Sequence, residues 1–205
     1  MDLVLVRHAE PVRLTSEDTL GAPADPGLTA LGHAQANRLA DWLAPESFDV
    51  LLTSSKQRAI ETAAPVAAAL GLDPSVDDGW LEYDSQSDDY IPTEELRATK
   101  DPRFQAMIDG RWQEFGAEHP DVFRAQVSEA LDRTIDAHAG QRVLVVCHGG
   151  VINVAVALVL GLDRHLWFEP GYTSISRIVA SRRGVRSVTS VNETSHLFAT
   201  RDRIS

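Results

Sequence analysis

The chain has 205 residues, is 43% hydrophobic and carries a formal net charge of −11, so it can bury a core as one domain. That charge argues against nucleic acid and against a polybasic membrane attachment, both of which need clustered Lys and Arg. The longest apolar run, Val151 to Leu162, contains Asn153 and is too short to span a bilayer, and the single cysteine, Cys147, excludes an internal disulfide.

The N-terminus opens straight into a strand without a secretory signal, and a reducing cytoplasm is the expected compartment. No linker, low-complexity tract or repeat interrupts the chain, which predicts one domain over 1–205 with an acidic loop and helical insertion at about 77–120. The first element is Leu3-Val4-Leu5-Val6, a run of aliphatic residues that suits a strand buried on both faces. It leads directly into Arg7 and His8. After a loop from Pro11 to Gly27, Thr29 reads as the N-cap of a helix carrying Leu31, Gln35, Leu39, Trp42 and Leu43 up to Pro45. Phe48 to Thr53 reads as a second strand. Ser54-Ser55 is expected to cap a helix over Lys56 to Leu70, ended by Gly71 and kinked at Pro65, with Arg58 in its first turn.

From Asp77 to Glu95 there are eight carboxylates and no Lys or Arg, which predicts an irregular, solvent-facing excursion. Thr93 to Lys100 and Pro102 to Phe115 read as short helices. Asp121 to Ala139 is a stronger one, with Phe123, Val127, Leu131, Ile135 and His138 on one face. Val143 to Cys147 repeats the first strand's pattern and delivers His148-Gly149-Gly150 to the start of a buried helix. Ser174 to Ala180 and Val185 to Val191 form a hairpin about Arg182-Arg183-Gly184. The expected fold is α/β: a three-layer sandwich, its sheet mostly parallel with an antiparallel edge and helices on both faces.

Two buried strands that each end in a histidine place two imidazoles at the sheet edge where ligands of α/β folds bind. Their residue types suit one phosphate. Arg7 and Arg58 offer planar, permanently charged forks. His148, followed by two glycines and a helix start, adds a charged donor and backbone N–H groups. Flanking guanidinium groups keep His8 neutral and therefore nucleophilic. Glu82 supplies an acid, its pKa raised by the bound dianion.

These residues resemble the histidine phosphatase superfamily, the phosphoglycerate-mutase-like group. Leu5-Val6-Arg7-His8-Ala9-Glu10 resembles the family's Arg-His-Gly-Glu signature, and Leu28-Thr29-Ala30-Leu31-Gly32-His33-Ala34-Gln35-Ala36 its Leu-Thr-x-x-Gly-x-x-Gln-Ala helix start. Ser54 to Ala63 resembles its Ser-x-x-x-Arg-Ala-x-x-Thr-Ala segment. Trp80-Leu81-Glu82 stands where the family places its acid, Val145 to Gly150 resembles the second-histidine motif, and Asn192 to Leu197 the end of the last strand. Each motif is short; their order and spacing carry the resemblance. It implies that His8 is the phosphohistidine nucleophile, that Arg7, Arg58, His148 and Gly149 hold the phosphoryl oxygens, and that Glu82 acts as general acid, then base. No metal or organic cofactor is implied.

Ala9 replaces the signature glycine, which fits if its φ stays negative. Pro11 and Leu14 stand where relatives often carry threonine and asparagine near the phosphate, and Tyr83 to Tyr90 replaces a Gly-x-Trp-x-Gly continuation. The basic insertion of bisphosphate-dependent mutases is not evident, and an acidic rim disfavours a multiply charged substrate. The expected activity is therefore phosphomonoester hydrolysis. Mutase-type phosphoryl transfer, a phosphoprotein phosphatase and a non-catalytic phosphoryl-ligand binder are alternatives, and a metallohydrolase lacks paired-ligand spacing. The expected partner is a small phosphorylated substrate, with a homodimer as an option. Tyr83, Trp80 and Tyr90 are candidates for contact with an uncharged leaving group. Cys147 reads as core, His196 and Asn192 as strand-end hydrogen bonding, and His33, His119, His138 and His165 as structural or surface residues.

Overall fold

The N-terminal apolar run forms β1 (Asp2–Arg7), in which Leu3 and Leu5 pack into one buried cluster and Val4 and Val6 into another. Successive side chains of a strand leave opposite faces of the sheet, so a strand covered on both sides is apolar throughout. The structure is a computed structural model describing residues 1–198; residues 199–205 of the expected domain lie outside the described residues. β4 (Arg142–Cys147) divides its side chains in the same way: Val143, Val145 and Cys147 join the first cluster, Leu144 and Val146 the second.

β1 pairs in parallel with β4, β4 with β2 (Val50–Thr53), and β2 with the short β3 (Ser75–Val76). On its other side β1 pairs antiparallel with β5 (Ile175–Ala180), and β5 with β6 (Arg186–Glu193), giving the order β3-β2-β4-β1-β5-β6. The layers follow from the two clusters. After the short α1 (Ser16–Thr19), α2 (Ala30–Leu43) and α3 (Gln57–Leu70) cover one face through Leu39, Leu43, Ala63 and Val66. Two short helices, α4 (Thr93–Thr99) and α5 (Pro102–Ile108), precede α6 (Pro120–Ala137) and α7 (Gly149–Leu160), which cover the other face through Phe123, Val127, Val151 and Ile152. The described chain ends in α8 (Ser195–Phe198). This is the three-layer α/β arrangement expected from the sequence. Among the described residues no helix is long and apolar enough to cross a membrane.

Four local expectations are corrected. Ser54-Ser55 does not cap α3: its N-cap is Lys56, with no side-chain bond, and Asp25 accepts the Gln57 N–H at 2.8 Å instead. Pro102 to Phe115 is not one helix, because Gly110 takes a left-handed φ of 75° and a separate 3₁₀ turn follows at Trp112–Phe115. His138 leaves the apolar face of α6 to serve as its C-cap, bonded to Gln141.

The Asp77–Glu95 segment is not a solvated face. Trp80 is fully buried, and Glu82, Ser87 and Tyr90 are buried as well. Its carboxylates meet cations from distant parts of the chain: Asp77 pairs with Arg133, Asp84 with Arg58, Asp89 with Arg103 and Glu95 with Arg13. Backbone bonds between Leu14 and Tyr90 in both directions then dock the segment against the N-terminal loop. Pro11 likewise bridges to Leu28. Pro11 and Leu14 thus contribute backbone pairing, and neither lines the cavity described below.

Candidate active site

Parallel pairing sets Arg7 beside Cys147, so the residues that follow, His8 and His148, emerge side by side with ring centroids 5.2 Å apart. Both are almost entirely withdrawn from solvent, at 2% and 0% exposure. His8 Nδ1 lies 2.8 Å from the Ala9 carbonyl oxygen. A carbonyl can only accept, so the ring proton sits on Nδ1 and Nε2 keeps a free lone pair. Burial, then Arg58 and Arg7, holds the His8 pKa well below its usual value, which keeps the ring neutral. The guanidinium charges work in the expected direction, but burial is the larger cause.

The loop that carries His8 is clamped by residues of the other motifs. Ala9 N–H donates to Thr62 Oγ1 at 2.9 Å, and that hydroxyl donates to the Arg58 carbonyl at 2.7 Å, tying the loop to the first turn of α3. Glu10 N–H donates to Gln35 Oε1 at 2.9 Å, and Thr29 caps α2 while its hydroxyl reaches Glu10 Oε1. A Cβ at Gly32 would stand 2.1 Å from the Glu10 carbonyl oxygen, so only glycine lets α2 start this close to the loop. Ala9 is buried and is not among the residues of positive φ, so alanine fits at the signature position.

Around His8 the cations are presented but not consumed. Arg7 donates through Nη1 to the Pro170 carbonyl at 2.6 Å and lies 4.1 Å from the Tyr172 ring centroid. Arg58 stands 4.5 Å over the Tyr90 ring, with Asp84 3.9 Å from Nη2. Arg7 Nε, Arg58 Nε, Arg58 Nη1 and His148 Nδ1 are all buried, and none has a hydrogen-bond partner among the described residues. Unpaired buried donors each cost about 1–3 kcal/mol and are rare. The three guanidinium N–H groups among these atoms, beside one imidazole, describe a socket for a multivalent anion.

His148 stands behind the cavity wall, its Nε2 2.8 Å from the Ser54 hydroxyl. Its pKa is also held well below the usual value, by burial first and then by Arg58 and His8. It is therefore neutral here and not the charged donor expected; an incoming dianion would favour the imidazolium.

Glu82 follows the 3₁₀ turn Asp78–Trp80, which the buried Trp80 anchors. Its carboxylate accepts the Gly150 N–H at 2.8 Å and the Tyr83 N–H at 3.3 Å. Burial, followed by the charge of Asp84, raises its pKa to about 7. No bound phosphate is needed for that rise, contrary to expectation, and a carboxyl poised near neutrality suits both acid and base roles. Asp84→Asn removes the neighbouring negative charge, so the Glu82 pKa drops. The Glu82 carboxyl is then expected to titrate at lower pH, read by NMR of its side-chain carbon in the two proteins. Gly150 gives a second prediction, because an added Cβ would lie 2.3 Å from Glu82 Oε1 and 2.8 Å from the Tyr83 ring. Gly150→Ala should displace Glu82 and cost any reaction in which that carboxyl takes part about 10²-fold in rate. Gly149→Ala should lose less, since its Cβ meets Arg7 no closer than 3.6 Å.

Arg7, His8, Arg58, Glu82 and Gly149 line one cavity of about 330 Å³. Tyr83 and Tyr90 line it too, whereas Trp80 does not. Cys147 points into the core, where burial pushes its thiol pKa far up. Sequence reasoning missed Ser54 as the partner of His148, and the 170–173 loop with Pro170 and Tyr172. That loop is held by Asn192, whose Oδ1 accepts the Gly171 N–H at 2.8 Å, and by His196 at 2.9 Å from the Thr173 hydroxyl. These contacts bear out the strand-end role expected of both residues. His33, His119, His138 and His165 are not among the cavity's lining residues. Among the described residues no group of three or more His, Cys, Asp or Glu side chains is arranged to hold a metal ion.

Residues 3–194 match the model of the histidine phosphatase superfamily (branch 1). A bifunctional protein of Mycobacterium tuberculosis is 31% identical over 207 residues, which cover 95% of this chain and 54% of that protein. The chain thus spans about half the length of the first curated relatives it matches. A phosphoglycerate mutase-like protein of Arabidopsis thaliana is 33% identical over 162 residues, covering 74% of this chain and 68% of that protein. Among solved structures, a variant phosphoserine phosphatase from Entamoeba histolytica in complex with phosphoserine has a TM-score of 0.73 and 23% identity, covering 96% of this chain and 98% of that one. At that identity the likeness establishes the fold.

Proposed function

This chain belongs to the histidine phosphatase superfamily, and on that premise we propose that it is a metal-independent phosphomonoesterase working through a phosphohistidine on His8. The observation that carries the reading is the set of buried, unpartnered donors on Arg7 and Arg58 beside a neutral imidazole. The phosphoryl oxygens of the substrate satisfy those donors. His8 Nε2 attacks phosphorus, the ester P–O bond breaks, and protonated Glu82 gives its proton to the departing alkoxide. Glu82, now a carboxylate, takes a proton from water as that water attacks the phosphohistidine. Inorganic phosphate leaves and His8 is restored. Charge developing on the equatorial oxygens is met by guanidinium groups already in place, which is where most of the acceleration arises.

Hydrolysis is favoured over mutase chemistry by the surroundings of the cavity. Beyond the socket the fork of Arg103 is already held by Asp89 and Asp101, which leaves the second phosphate of a bisphosphate no unengaged buried guanidinium. The test is release of inorganic phosphate from a simple alkyl phosphate in the presence of a chelator. Equal amounts of phosphate and alcohol, at a rate the chelator leaves unchanged, are expected. Loss of activity on chelation, or transfer of phosphate that needs a bisphosphate primer, would overturn the reading.

A further inference from the structure

The cavity extends well past the anion socket, and the residues that form its far part are chemically unlike the socket. α4, α5 and the 3₁₀ turn at Trp112–Phe115 wall one side with Leu96, Phe104, Met107 and Phe115, and the 164–170 loop closes the other with Trp167 and Phe168. Met107 is buried, and the other five side chains are neither buried nor free in solvent, as befits the wall of a pocket. An ion pair between Arg97 and Glu169 straps the two walls together. Trp112 pins the α5 wall to the core by donating to the Met107 carbonyl at 2.8 Å and packing 4.4 Å from the Tyr83 ring centroid.

The charges in this outer part decide what it does not bind. A substrate with a carboxylate next to its phosphate, as in phosphoserine or 3-phosphoglycerate, needs a cation with an unengaged fork. Arg103 lines the cavity, but Asp101 takes its Nε and Nη2 and Asp89 its Nη1, at 3.0, 2.7 and 2.6 Å. Arg164 has no ion pair among the described residues but is exposed at the mouth, where water screens it. Asp84, Asp89 and Glu169 also line the cavity, each paired with an arginine (Arg58, Arg103 and Arg97), so the carboxylates occupy the cations that a second anion would need.

Resting on the phosphatase reading above, we infer that the enzyme's substrates are phosphate monoesters of bulky apolar or aromatic alcohols, and that the pocket walled by Leu96, Phe104, Met107, Phe115, Trp167 and Phe168 selects them. The socket takes the phosphate and the outer pocket desolvates the alcohol portion. Burying that portion improves kcat/KM, which small carboxylated esters cannot match here.

The test compares four alkyl esters on the wild-type protein: 3-phenylpropyl phosphate and propyl phosphate, whose alcohols leave about equally well, and phosphoserine and 3-phosphoglycerate, whose alcohols leave somewhat more easily. The phenylpropyl ester is expected to exceed each of the other three by at least about tenfold in kcat/KM. Phe104→Ala should shrink its advantage over propyl phosphate. A phenylpropyl ester no better than the propyl ester, or a carboxylated ester preferred by tenfold, would overturn the substrate class while leaving the phosphatase reading intact. Failure of all four esters to release phosphate would instead overturn the phosphatase reading, and the substrate class with it.

Discussion

Replacing His8 with alanine is expected to cut phosphomonoester turnover by at least about 10⁴-fold, the order seen when an activated nucleophile is removed. The reason is geometric. The His8 ring is turned so that Nδ1 is occupied by the Ala9 carbonyl and Nε2 is free, and among the described residues no second neutral nucleophile stands in the socket. The His148 ring is 5.2 Å away but has Nε2 against Ser54, and Cys147 points into the core. The same variant carries its own control for folding. Because the pKa of His8 is depressed in the folded protein, the unfolded chain takes up that proton first as pH falls below about 6.5. The stability tied to the neutral ring is present above that pH and is lost as pH falls further. His8→Ala should therefore stay folded at pH 8 and show a shallower acid loss of Tm than the parent protein. An inactive variant that has also unfolded at pH 8 would leave the chemical role of His8 unsupported.

The second large effect concerns Glu82. Glu82→Gln keeps the size of the side chain and an oxygen able to accept the Gly150 N–H, but it cannot give a proton. The kcat/KM of alkyl phosphates, which reports the step in which a poorly leaving alkoxide departs, is expected to fall about 10²- to 10⁴-fold. In the same parameter activated aryl phosphates, which leave without help, should lose less than about tenfold, while the later attack of water slows alike for both. Because the carboxyl titrates near 7 and must be protonated to act as the acid, kcat/KM for alkyl esters should decline as pH rises through that value. The variant should lose this limb. Equal slowing of alkyl and aryl esters would assign Glu82 a positioning role instead.

How much of this was legible in the sequence depends on the range of the interaction that fixes each feature. β1, β4 and the layers could be read because an aliphatic run followed by histidine is a local signal, and strand alternation dictates both clusters. Arg7, His8 and His148 could be expected at one sheet edge because each closely follows a buried strand, whereas the place of Arg58 beside them rests on the motif around it. Glu82 was placed chiefly through the family resemblance, and its elevated pKa was ascribed to a bound dianion. Burial and Asp84 produce that rise, and both depend on how the 77–95 segment folds back. In the sequence that segment reads as a solvated face because its cations, Arg13, Arg58, Arg103 and Arg133, lie elsewhere in the chain. The 170–173 loop went unnoticed for a related reason. It contributes a backbone carbonyl to Arg7, and a carbonyl leaves no trace in residue type. Thr173 at a φ of 56° is a strained choice for a β-branched residue, a feature visible only in coordinates.

The most direct test of the central claim is to quench the wild-type protein in base during turnover of an alkyl phosphate and map the phosphoryl group by peptide mass spectrometry. An acid-labile, base-stable phosphoryl on the peptide containing His8, absent from His8→Ala, is the predicted result. Rapid turnover with no phosphoryl-enzyme at any quench time, or a phosphoryl group on another residue, would contradict it.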